Sequence, residues 1–131
     1  MMNEWVPNEQ DSAHSLRFLV VESSLGARII IRAHLLEYKH SVDMAWDDES
    51  AIELAFMRAY DFILVDNKLN CYELIDHIQK NSVFNEQTPM IILTSNHNEE
   101  HQSQGSRIYF KKPISKMDAL QLLAFLKNLK K

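Results

Sequence analysis

The sequence is short of the residues that tight turns and covalent staples require. Two glycines and three prolines among 131 residues are few for an all-β chain, where such turns recur at every hairpin. The single cysteine, Cys71, cannot close an internal disulfide, which fits a reducing compartment. Apolar runs are short, and none approaches the ~18 residues of a membrane span. Basic residues are in deficit: 14 lysines and arginines stand against 18 acids, a net charge of −4. That balance gives no reason to expect a nucleic-acid partner. The opening "MMNEWVPNEQDSAHS" is polar and acidic, without the basic start and apolar stretch of a signal peptide. Together these absences point to a soluble, cytoplasmic protein with neither membrane nor nucleic acid as partner.

What is present supports a packed domain. The composition is 46% hydrophobic and 24% charged, ordinary for a globular chain and unlike a disordered one. The length suits one domain. Residues 1 to 15 show no sustained periodicity and read as a flexible lead, although Trp5 and Val6 could dock on the body. Residues 16 to 131 carry the pattern.

"LRFLVV" is a short continuous apolar run, as in a strand buried on both faces. "LGARIIIRAHLLEYKH" follows at helical spacing, with Ile29, Ile30, Ala33, Leu35 and Leu36 on one broad face. "VDMAW" reads as a second strand, and "DDESAIELAFMRA" as a helix with an acidic first turn capped by Asp48 or Ser50. "FILV" ends at Asp66, and "CYELIDHIQKN" turns Leu74, Ile75 and Ile78 inward. "PMIILT" ends at Thr94, and the polar "NHNEEHQSQG" leaves room for a short helix at most. "RIYF" precedes "KKP", and "SKMDALQLLAFLKNLKK" closes as an amphipathic helix, with Leu120, Leu123, Ala124 and Leu126 facing the core. Strands alternating with helices in this way predict parallel strands joined by right-handed crossovers. The expected fold is a doubly wound α/β domain, a five-stranded parallel sheet with helices on both faces.

Such sheets place their sites at the carboxyl ends of the strands. There the sequence sets Glu22 and Ser23, then Asp66, then Thr94 and Ser95, then Lys112 before Pro113. An aspartate can attack phosphorus to form an acyl phosphate. A hydroxyl and an ammonium can bind the phosphoryl oxygens, and a divalent cation would offset the repulsion between acid and phosphate.

In "LVVES", "DFILVD", "PMIILTS" and "YFKKPIS" the chain resembles the receiver domain of two-component response regulators, the CheY-like family, from about Leu16 to Lys130. The resemblance implies Asp66 as phosphoacceptor, Thr94 as the switch hydroxyl and Lys112 as the ammonium contacting the phosphate. Tyr109 matches the aromatic residue that rotates on activation, and Pro113 the residue whose bond to the lysine is commonly cis. Magnesium would draw on Glu22, Asp66 and the backbone carbonyl of Lys68. Ser23, however, stands where the family has the second, cation-binding acid, and a neutral hydroxyl weakens that site. The loop after Asp66 and the stretch between Thr94 and Lys112 are also shorter than in the family.

The implied function is phosphorelay signalling by protein contact, without enzymatic turnover. A histidine kinase or phosphotransfer protein would be the donor, and another signalling protein or a second copy the listener. An alternative is a pseudo-receiver that has lost phosphorylation and serves as a constitutive docking or dimerisation module. A small phosphohydrolase with Asp66 as nucleophile is a further alternative, but Lys68 occupies the place of its general acid. Plainer roles compete at single positions. Ser23 and Ser24 suit a helix cap, His97 and His101 suit solvated side chains, and Cys71 has no catalytic context.

Overall fold

Apolar runs bounded by polar residues become the strands, and the capped amphipathic stretches between them become the helices. The computed structural model of the chain describes residues 15–67, 70–95 and 107–130. In chain order these form β1 (Arg17–Val21), α1 (Leu25–Glu37), β2 (Ser41–Ala45), α2 (Asp48–Met57), β3 (Phe62–Asp66), α3 (Cys71–Asn81), β4 (Met90–Thr94), β5 (Ile108–Lys111) and α4 (Lys116–Lys130). The lead before Ser15, Lys68, His97, His101 and the short helix considered after Thr94 lie outside the described residues.

All strands are parallel, in the order β2-β1-β3-β4-β5. The order reverses at β1, so the crevice outside the carboxyl ends of β1 and β3 is the switch point where α/β sheets bind ligands. Residues alternate between the two faces of the sheet. Leu19, Val21, Ile63, Val65 and Ile92 pack under α2 and α3. Phe18, Val20, Phe62, Leu64, Ile91 and Leu93 pack under α1 and α4. Both faces are therefore core, which is why the central strands read as unbroken apolar runs.

The helices correct several expectations. On α1 the buried residues are Ile31 and Leu35, with Ala27 and Tyr38 packed beside them. Ile29, Ile30, Ala33 and Leu36 are exposed. The run of three isoleucines made the apolar face look broader than the stripe that the sheet covers. On α4 the buried set is Ala119, Leu122, Leu123 and Leu126, and Leu120 and Ala124 face outward. Leu74, Ile75 and Ile78 are buried on α3 as read. Asp47, one residue earlier than expected, caps α2 and forms a reciprocal box with Ser50. Trp46 falls just beyond β2 and is exposed.

Candidate functional site

Parity along the strands decides which side chains meet. Glu22 continues the alternation Phe18, Val20; Asp66 continues Phe62, Leu64; Lys112 continues Ile108, Phe110. All three therefore leave the sheet on the α1/α4 side. Thr94 follows Met90 and Ile92, and Tyr109 pairs with Ile92, so both belong to the α2/α3 side. Ladder-type bonds hold the backbone beyond the strand ends: Glu22 N–H donates to Ala45 O at 2.9 Å, Asn67 N–H to Leu93 O at 3.0 Å and Lys112 N–H to Thr94 O at 2.8 Å.

The result is a buried ion cluster. Lys112 Nζ stands 3.1 Å from Glu22 Oε1 and 3.1 Å from Asp66 Oδ1. The Ser23 hydroxyl donates to Asp66 Oδ2 at 3.3 Å, and the Ser24 N–H donates to Glu22 Oε2 at 3.0 Å. Glu22, Asp66, Thr94 and Lys112 are all at most 5% exposed. Burial pushes the Glu22 carboxyl above its usual range, against the opposing pull of the Ser24 N–H and Lys112. Burial also works against the charge on Lys112, but Asp66 and Glu22 outweigh it and hold the ammonium above the ordinary lysine value.

Two expectations of the site need correction or refinement. The Lys112–Pro113 bond is trans, as are all the described peptide bonds. Ile114 N–H donates to Lys112 O at 2.9 Å, a three-residue turn centred on Pro113, whose φ is fixed near the value that turn needs. The two serines divide their labour. Ser24 is the N-cap of α1, whereas Ser23 turns its hydroxyl to Asp66.

Sequence reasoning missed Arg28 and Tyr72. The Arg28 guanidinium donates to Glu22 O at 2.8 Å and Ser23 O at 3.3 Å, tying the first loop to α1. Its place four residues after the cap was the available signal. The Tyr72 and Tyr109 hydroxyls hydrogen-bond to each other across α3 and β5, and Arg107 lies 4.5 Å from the Tyr72 ring centroid. No local pattern announces that contact.

The donor set does not fit magnesium well. Magnesium takes near-octahedral oxygen ligation and sheds water reluctantly. Here each oxygen of Glu22 and Asp66 already meets a protein donor or cation, and the third side chain is a hydroxyl that donates to Asp66. Among the described residues no group of three or more His, Cys, Asp or Glu side chains could hold a metal ion.

No family model matches the chain, and no curated protein matches it. Solved structures do. The chemotaxis response regulator CheY4 of Vibrio cholerae superposes with a TM-score of 0.70 at 20% identity, over 86% of this chain and 98% of that one. The receiver domain of a sensor histidine kinase from Pseudomonas aeruginosa PAO1, with a magnesium ion coordinated in its active site cleft, gives 0.69 at 24% identity, over 87% and 96%. A Francisella response regulator receiver domain gives 0.69 at 23%, over 89% and 100%. With the strand order and the carboxyl-edge cluster, these likenesses establish the architecture: the chain has the CheY-like fold of response regulator receiver domains.

Proposed function

We propose that the chain is a receiver-type module of two-component signalling that acts by protein contact rather than by turnover. Within that class the geometry best supports a constitutive docking module. One observation carries this: Ser23, in the place of an acid, donates its proton toward Asp66 Oδ2 at 3.3 Å. An acid there would offer electron pairs to a cation; the hydroxyl instead donates to one of the two Asp66 oxygens, while Lys112 holds the other. A dianionic phosphoryl group on Asp66 would then lie beside the Glu22 carboxylate, with which it would share the Lys112 ammonium. Each unscreened pair of like charges at ~4 Å costs about 4 kcal/mol at an effective dielectric near 20.

A second reading is a phosphoacceptor receiver, favoured by the Asp66–Lys112 ion pair at 3.1 Å, with Thr94 ending the strand that lies between theirs. In it Asp66 attacks the phosphorus of a phosphohistidine on a histidine kinase or phosphotransfer protein. The P–N bond breaks, the imidazole leaves, and Lys112 turns from Glu22 to the phosphoryl oxygens. Glu22, Asp66 and the Lys68 carbonyl are the groups from which magnesium would take its ligands, and Ser23 keeps that affinity low. Thr94 and Tyr109 would carry the change to the surface.

Intact mass after incubation with acetyl phosphate and magnesium separates the two. The docking reading expects no added phosphoryl mass on the parent and a gain on Ser23→Asp that Asp66→Asn removes. A phosphoryl adduct on the parent, lost in Asp66→Asn, would establish the second reading instead.

A further inference from the structure

At the opposite pole from the ion cluster, four apolar side chains stand in water at one junction. Phe56 and Met57 end α2 and are 43% and 66% exposed; Val83 and Phe84 follow α3 and are 82% and 55% exposed. The junction is rigidly built. The Ser82 hydroxyl and the Asn85 amide both donate to Ala55 O at 2.7 Å, and Asn85 donates also to Arg58 O at 2.9 Å. The loop that displays Val83 and Phe84 is thereby fastened to the carbonyl end of α2, next to Phe56. The Phe56 ring stacks on His77, with centroids 6.1 Å apart. A preorganised apolar surface loses little entropy on association.

We propose that this junction is a self-association surface whose occupant is a second copy of the chain. With ~150–250 Å² for each aromatic side chain and less for Val83 and Met57, the four expose on the order of 400 Å² of apolar surface. That is about half of the ~800 Å² per partner in a standard interface, the share expected of its apolar centre. The border carries both signs. Glu53 lies one turn before Met57 on α2, and Lys80 lies on α3, both of them exposed. A two-fold axis running along the groove between the helices lays α2 of one copy on α3 of the other. The apolar ends then meet, and Glu53 of each copy comes to the side of Lys80 of the other. The inference does not depend on how Asp66 is used.

Sedimentation equilibrium on the whole chain tests it. The parent should approach twice the chain mass as concentration rises through the micromolar range. Val83→Glu with Phe84→Glu should stay at one chain mass with its thermal midpoint unchanged, since both side chains are exposed. Glu53→Lys should weaken association, and adding Lys80→Glu should restore it. A parent that keeps one chain mass at about 1 mM, the concentration at which even a millimolar Kd shows, would overturn the proposal. So would a dimer indifferent to the glutamates at positions 83 and 84, or a charge swap without rescue.

Discussion

Lys112 and Asp66 form an ion pair at 3.1 Å in which neither side chain keeps more than a trace of solvent contact, 6% and 0% exposed. A buried pair repays its desolvation only through close geometry and further bonds. Here Glu22 and Ser23 supply the further contacts, so removing one member should cost more than removing the charges together. Lys112→Met should destabilise the fold by about 3–5 kcal/mol, because it leaves two buried carboxylates without their cation. Adding Glu22→Gln and Asp66→Asn to Lys112→Met should recover most of that loss. Urea denaturation of the single and triple variants checks the prediction, which fails if the triple variant is the weaker.

Asn85 should be among the most sensitive positions outside the apolar core. Its side chain donates to Ala55 O and Arg58 O and accepts from Tyr60 N–H at 2.9 Å and from the Thr88 hydroxyl at 3.0 Å. Asn85→Ala strands several buried groups, each worth roughly 1–3 kcal/mol when left unmet. A loss of at least about 3 kcal/mol is expected by chemical denaturation, with the urea slope unchanged. A loss below about 1 kcal/mol would mean that water replaces these bonds.

That network also marks where the sequence stopped being legible. The doubly wound sheet and the strand-end placement of Glu22, Asp66, Thr94 and Lys112 could be read, because apolar runs and their polar terminators are local signals. Nothing local marks Asn85, since its partners Ala55, Arg58 and Tyr60 lie 25–30 positions away in sequence. The inward faces of α1 and α4 were placed only in part, with Leu35, Leu123 and Leu126 buried as expected and the rest of the expected residues exposed, for a related reason. Both helices carry more apolar residues than the sheet covers, and periodicity alone does not choose between Ile30 and Ile31. The part played by Ser23 was half legible: its identity showed a missing acid, while its bond to Asp66 depends on a rotamer that no pattern encodes.

Acid should loosen the start of β1 through His40. Its ring is buried, and its Nδ1 accepts the Leu16 N–H at 3.0 Å. Burial, and secondarily Lys127, lowers its pKa, while Asp61 opposes them. Because the folded value lies below the unfolded one, near 6.5, the unfolded chain takes up the proton first. The stability that neutral His40 gives is therefore full above that pH and drains away as pH falls through the folded value. Thermal midpoints measured from pH 7.5 down to 5 should decline in the parent. His40→Asn, which keeps an acceptor that does not titrate, should flatten the part of the decline that begins near 6.5. An unchanged slope in that variant would place the acid sensitivity elsewhere.

At the alkaline end the relevant pair is Tyr72 and Tyr109. Burial, with the Tyr72 hydroxyl bond second, pushes the Tyr109 phenol up to about 12 from an ordinary 10. For an acid whose folded pKa is raised, the associated stability is fully present below the unfolded value and is lost as pH rises through the folded one. The window thus runs from about 10 to about 12. Tyr72→Phe removes the hydroxyl partner and leaves the ring under Arg107, so only the hydrogen-bond part of the shift should disappear. Absorbance titration of phenolate should then show Tyr109 ionising earlier in Tyr72→Phe than in the parent, with Tyr109→Phe identifying its share of the signal. The alkaline loss of stability should begin at correspondingly lower pH. If Tyr109 titrates alike in parent and variant, burial alone sets its pKa, and the α3–β5 hydroxyl contact contributes nothing to holding Tyr109 in place.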